Sequence, residues 1–250
     1  MRFFAFLLGL LTVALLGEVR PTAAEAAVDC SAPRELIEDE PRLPALAQHF
    51  KDHQPVTIVV IGGASTAGTA PDNAYPHFLE GALRHRHPDT PVKVVNRGIT
   101  GQTTEQMSAR FAKDVYPDQP SLVIWEAGTV DAVRSEDVNA FADAITDGIA
   151  AIQEHKAEIM LMDMQYNPST VSVINFEPYL DALHQTATLQ DVYMFQRFEI
   201  MKYWSETSVF DFSSVPREKR ASQAREIYEC LGERLADAID FAARLDEQDH

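Results

Sequence analysis

The stretch Val56-Thr57-Ile58-Val59-Val60-Ile61-Gly62-Gly63-Ala64-Ser65-Thr66-Ala67-Gly68 decides the fold class. Residues 56–61 are apolar or β-branched without a break and run straight into paired glycines. A short run of this kind, bounded by turn residues, suits a strand buried on both faces. The glycine-flanked turn after it leads into a helix. Taken alone, that turn is a tight β–α connection in which glycine supplies φ > 0. Turns of this type also present backbone N–H groups that can hold an oxyanion or a phosphate.

Working outward, the same pattern recurs. Residues 92–96, 122–125, 159–163 and, more weakly, 192–195 read as further strands. Helical stretches lie between them. Residues 75–87 carry Phe78, Leu79, Ala82 and Leu83 on one side, and residues 137–156 space Phe141, Ala144, Ile145, Ile149 and Ile152 helically. Residues 218–245 place Ile227, Leu231, Leu235, Ile239 and Phe241 in the same way. Alternating strand and helix predicts an α/β domain, a three-layer αβα arrangement with about five parallel strands. Sites in such sheets form at the carboxyl ends of the strands. That rule brings residues 62–68, 96–104, 128–131 and 163–168 around one crevice.

Composition narrows the partners. The 250-residue chain has a formal net charge of -17. Such an acidic surface repels nucleic-acid phosphates and anionic lipid headgroups, so neither is expected as a partner. The N-terminus reads as a signal peptide: Arg2, an apolar run over 3–17, then Ala24-Glu25-Ala26 as an A-x-A cleavage site. The expected organisation is therefore a signal at 1–26 and one domain at 27–250, periplasmic or secreted, with no membrane attachment after cleavage. An uncleaved anchor helix is the alternative, although the run is short for a span. Asp29 before Cys30 breaks a lipobox. Cys30 and Cys230, an even pair in an exported chain, are expected to form a disulfide from the mature N-terminus to the last helix, with two unpaired buried thiols as the alternative.

The strand-end blocks, taken together, resemble the SGNH (GDSL-type) hydrolases, a family of esterases, lipases and carbohydrate deacetylases. The family's first block, G-D-S-x-T-x-G, corresponds to residues 62–68, with Gly62, Thr66 and Gly68 in register. The second, N-x-G-x-x-G-x-T, is matched by Asn96, Gly98, Gly101 and Thr103. The third, G-x-N-D, becomes Gly128-Thr129-Val130-Asp131, and residues 161–168 are similar to a bacterial branch of the family. The resemblance covers nearly all of the mature chain and implies a flavodoxin-like fold. It also implies a nucleophilic Ser, a His that activates it, an Asp three residues before that His, and an oxyanion hole.

Carried over by position, most of that chemistry is replaced. The nucleophile falls on Ala64 and the oxyanion Asn on Val130, while the oxyanion Gly is retained as Gly101. Aligned through Tyr228, Cys230 and Leu231, the Asp falls on Lys219 and the His on Ser222, and no His lies between His184 and His250. One lost oxyanion donor alone raises the barrier by about 2.7–4 kcal/mol. Loss of nucleophile, base, orienter and donor together is expected to abolish acyl transfer by the family route.

Three readings follow. In the first the protein is a pseudo-hydrolase. It would bind an acyl or carbohydrate ligand, or a protein partner, in a crevice lined by Gly63, Ala64, Ser65, Gly101, Gly128, Val130, Gln165 and Tyr166. In the second it is an esterase rewired around Ser65, which requires a base beside that serine. A third, an accessory subunit acting through its surface, would show a large exposed apolar patch. His77, His155 and His184 fall on helices as solvated or packing residues. His85 and His87 suit a basic helix end, and with no third ligand beside them no metal or other cofactor is expected. Asp131 is expected to cap the helix after it and Asp163 to stabilise the crevice. Trp125, Trp204 and Tyr166 read as core or cleft wall, and 217–220 as a solvated helix start.

Overall fold

A computed structural model of the protein describes residues 28–40 and 42–244. The expected signal at 1–26 lies outside the described residues. The strands are β1 (Val56–Gly62), β2 (Val92–Gly98), β3 (Leu122–Glu126), β4 (Glu158–Met162) and β5 (Tyr193–Phe195). They form one parallel sheet in the order β2-β1-β3-β4-β5. The main helices are α1 (Pro44–Lys51), α2 (Ala64–Ala67), α3 (Tyr75–Arg86), α4 (Thr104–Ser108), α5 (Phe111–Asp114), α6 (Thr129–Arg134), α7 (Val138–Glu154), α8 (Pro168–Val171), α9 (Glu177–Leu189), α10 (Arg197–Glu206) and α11 (Arg220–Ala242).

Alternation along each strand sends its side chains into two separate cores. Ile58, Val60, Leu122, Ile124, Met160, Tyr193 and Phe195 meet α1, α3, α10 and α11. Val59, Ile61, Val123, Trp125, Ile159, Leu161 and Met194 meet α5, α7 and α9 on the other side. This is the three-layer arrangement expected, and burial on both faces explains why the strands read as apolar runs. The boundaries moved little. The second helix starts after Asp137, which accepts from Ala140 N as its N-cap. The last helix starts at Arg220 after a 3-10 turn over Arg217–Lys219. Asp163 falls just past β4. The helices α1 and α10 were not marked by the sequence patterns, and α9 only through the helical placement of His184.

Cys30 and Cys230 are joined by a disulfide spanning 200 residues of sequence. The loop it closes ties the N-terminal segment to α11, and Arg234 Nη1 donates to Cys30 O alongside it. In the chain-entropy description so long a loop contributes up to about 5 kcal/mol. Cys230→Ser is therefore expected to lower the urea midpoint strongly under non-reducing conditions, to about the midpoint of the fully reduced wild type. Equal midpoints for oxidised wild type and Cys230→Ser would show that the bridge does not constrain the unfolded chain.

Candidate functional site

The register aligns Gly62, Gly98, Glu126, Met162 and Phe195 at one end of the sheet, where the loops after the strands gather the expected crevice residues. Gly63 turns the chain into α2, whose first residue, Ala64, is exposed. Gly101 is also exposed and Val130 is half-buried in the first turn of α6. Two glycines are demanded by space. A Cβ on Gly98 would enter the backbone of Thr66 and Ala67, so β2 and α2 touch only because position 98 has no side chain. Asn96 stitches that contact: its Nδ2 donates to Thr66 O at 2.6 Å and its Oδ1 accepts from Gly98 N at 2.8 Å. Gly128 holds φ +91° against the Met164 side chain. Arg134 Nη2 donates to Gly101 O at 2.9 Å, tying the β2–α4 loop to α6. Gln165 is exposed, and half-buried Tyr166 meets Phe198 edge-on at 5.3 Å.

Beneath α2 lies a buried polar cluster. Ser65 Oγ is 2.8 Å from each carboxylate oxygen of Glu126 and accepts from Arg197 Nη1 at 2.9 Å. Thr66 Oγ1 donates to Glu126 as well, and Tyr75 Oη lies 2.7 Å from Thr66 Oγ1. Arg197 Nη2 stands 3.2 Å from Glu126 Oε1, an ionic contact outside hydrogen-bond geometry. Glu126 shares the strand face of Leu122 and Ile124, and Arg197 continues the face of Tyr193 and Phe195, so alternation directs both into the α3–α11 layer. Burial favours a neutral Glu126, but the Arg197 charge and the bonds from Thr66 and Ser65 outweigh it and hold the carboxyl below its ordinary value. Burial likewise opposes charge on Arg197, and Glu126 reverses that.

Ser65 was expected to line the crevice. It is instead 4% exposed, with its hydroxyl committed to the interior. Its neighbour of basic character is a carboxylate held ionised by an arginine, which is a weak proton acceptor. Gly63 is buried too. Sequence reading missed Glu126 and Arg197. A carboxylate ending the otherwise apolar strand over Leu122–Glu126 was the available signal; nothing local marked its partner.

The remaining positions are accounted for individually. Lys219 and Ser222 are exposed at the start of α11, where Ser222 Oγ donates to Lys219 O at 3.0 Å. Arg225 Nη1 donates to Asp72 O at 3.1 Å, which sets this helix start beside the α2–α3 segment. Asp131 does not cap its own helix. It accepts from Thr104 N and Oγ1 at 2.9–3.2 Å and so anchors α4 across the crevice. Burial raises its pKa above the ordinary carboxylate range against those bonds. His184 Nε2 meets Asp163 Oδ2 at 2.9 Å, and Asp163 Oδ1 accepts from Phe198 N at 2.8 Å. His87 bonds Asp240 and His155 stacks on Tyr116, while His77 packs edge-on against Phe78. His85 is exposed. Trp125 and Trp204 are core. No cluster of His, Cys, Asp and Glu suited to a metal ion occurs among the described residues.

Comparison with known proteins gives one family match, the Non-GDSL lipase-like family, over residues 29–245. Among curated relatives, an acetylxylan esterase from Geobacillus stearothermophilus is 25% identical over 105 residues, 42% of this chain and 46% of its own length. An arylesterase from Vibrio mimicus is 26% identical over 114 residues, 45% of this chain and 56% of its own length. The chain thus spans about half the length of these curated relatives. A solved variant of an acetyl xylan esterase from Geobacillus stearothermophilus superposes with TM-score 0.61 at 18% identity, covering 74% of this chain and 95% of that one. That likeness is one of fold.

Two outcomes follow from the polar clusters. Arg197→Met leaves the Glu126 charge buried and unpaired, so it is expected to cost about 3–5 kcal/mol in chemical denaturation. Adding Glu126→Gln to it should recover a large part of that loss, and a simple additive loss would show that the pair is not coupled. At His184, burial opposes protonation, but the Asp163 hydrogen bond and charge, with Asp39 and Asp181, outweigh it and raise the imidazole pKa. A folded value above the unfolded one means that the His184 contribution is complete below about pH 6.5 and is lost as pH rises through the folded value. The Tm gap between wild type and His184→Gln should accordingly shrink from pH 6 to pH 9; a constant gap would refute the linkage.

Proposed function

Because the chain belongs to the Non-GDSL lipase-like family, within the SGNH/GDSL-type hydrolases, we propose that it is an exported, non-catalytic member that uses the old crevice as a binding site. One observation carries this reading. Ala64 occupies the exposed first position of α2, where the family's nucleophile falls, and the adjacent Ser65 hydroxyl is held inside by Glu126 and Arg197. A serine moved by one helical step points about 100° away, so Ser65 does not stand in for the missing group. Val130 offers no hydrogen-bond donor from its side chain, and Lys219 and Ser222 replace the orienting Asp and the base.

The scaffold around these positions is kept. Gly98, Gly101, Gly128 and Asp131 hold the loops in place through named contacts, which supports retention of the crevice for binding. Likeness to an acetylxylan esterase favours an acylated carbohydrate as occupant. Export is supported by Arg2 with the apolar run over 3–17 and by the Cys30–Cys230 disulfide. No helix among the described residues is long and apolar enough to cross a membrane.

The test is fluorophosphonate labelling of the purified protein read by peptide mass spectrometry, with an active family relative in parallel. No adduct is expected on Ser65; a stoichiometric adduct there would establish the rewired esterase instead. In a companion experiment, Ala64→Ser, Val130→Asn, Lys219→Asp and Ser222→His are combined. The combined variant is expected to hydrolyse aryl acetates faster than the parent by about 10²-fold or more, the range for a positioned base. No gain in a folded variant would show that the positional assignments are wrong.

A further inference from the structure

A cavity of about 770 Å³ opens on the opposite side of Phe198's helix start from the buried Arg197, between α9, the α8–α9 segment and α10. None of the positions inherited from the hydrolase site lines it: not Ala64, Gly101, Val130, Lys219 or Ser222. Its size lies within the range of about 300–1,000 Å³ typical of small-molecule sites.

The lining is built rather than incidental. Asp163 is fully buried at its base, fixed by Phe198 N and by the His184 ring. The Asp163 contact uses Nε2, and Nδ1 of His184 makes no hydrogen bond among the described residues. His184 thus presents one free ring nitrogen in a fixed orientation, as a histidine does when a carboxylate holds its other nitrogen. Ile174, Leu180 and Phe198 give one apolar side. Around the rim stand Glu177, Asp181 and Glu199, with Lys202 paired to Glu199 at 3.2 Å.

This mixture selects against anions. An anion would meet four carboxylates, counting Asp163, against one lysine and one histidine. A hydroxyl both donates and accepts, so it satisfies rim carboxylates and the His184 nitrogen alike. A ring bearing several hydroxyls also has C–H faces that pack on Leu180, Ile174 and Phe198.

We propose that this cavity is a second binding site, separate from the old hydrolase crevice, for a neutral saccharide of one to three rings, with His184 as its central polar contact. The ring of Phe198 and the side chain of Leu180 form the apolar platform, and Asp181 and Glu177 accept from sugar hydroxyls at the mouth. Asp163 is a positioning residue that acts through His184.

The experiment uses the whole mature protein with cellobiose, xylobiose and maltotriose as probes. Digalacturonic acid and glucosamine disaccharide serve as the anionic and cationic counterparts. Binding is read by calorimetry and by the His184 imidazole resonances in NMR. At least one neutral probe is expected to shift the His184 signals in a saturable way, with the anionic counterpart at least tenfold weaker. Leu180→Trp, which fills the cavity, should weaken binding at least tenfold. The exposed change Asp181→Asn, which spares the core, should weaken it by about fivefold, the size of one hydrogen bond. Ala64→Trp, which blocks the crevice, should leave it unchanged. That last variant separates the two sites: loss in Ala64→Trp with retention in Leu180→Trp would overturn this proposal while supporting the crevice reading. Saccharide binding that leaves the His184 signals unmoved, tighter binding of a charged probe, or no binding of any neutral probe would overturn it as well.

Discussion

The Glu126–Arg197 pair is the constraint around which the active end of the sheet is arranged. Both side chains are almost wholly removed from water, and a charge in such a place is tolerated only when paired and hydrogen-bonded. Satisfying it recruits a residue from each neighbouring element: Ser65 and Thr66 from α2, and Tyr75 from the start of α3, with Arg197 itself opening α10. The pair reaches across β4 from β5 to β3. Glu126 ends β3 and Arg197 opens α10, so the two meet at the carboxyl end of the sheet. The orientation of α2 is thereby set from below by hydrogen bonds, and from the side by the contact of its backbone with Gly98.

That arrangement determines what α2 can offer to the crevice. Of its first two residues, one points out and one points in. Ala64 takes the outward place and carries no reactive group, and Ser65 takes the inward place and is consumed by the ion pair. A hydroxyl is therefore present in the sequence at the turn and absent from the chemistry of the turn. Gly98 and Gly128 hold the loops after β2 and β3 in place through close backbone and side-chain approaches. The contacts that hold this backbone are distinct from those that a substrate would meet.

A second polar group, Asp163 with His184, sits on the other face of the sheet. Asp163 follows Ile159 and Leu161 in the alternation, toward α9, while Arg197 follows Phe195 toward α11. Asp163 feels the positive charge of Arg197 as well as that of His184, and burial still raises its carboxyl above the ordinary range. The two clusters are thus close enough to interact electrostatically.

The sequence by itself determined the architecture. Apolar runs at 56–61, 92–96 and 122–125 with helical spacing between them specify a doubly covered parallel sheet, because burial on both strand faces leaves no room for polar alternation. The block Gly62 to Gly68, together with Asn96, Gly98, Gly101 and Gly128, pointed to the family, since those positions carry backbone requirements of the fold. The pairing of Cys30 with Cys230 followed from count and compartment. Tertiary structure alone decided which side chains meet. Glu126 and Arg197 are 71 positions apart by number, and no local pattern joins them. Asp131 could cap its own helix by sequence spacing, yet it reaches Thr104 on another loop. Ser65 could not be assigned to crevice or interior without knowing the rotation of α2. These are long-range hydrogen bonds and ion pairs, whose partners are set by how the layers close rather than by periodicity along the chain.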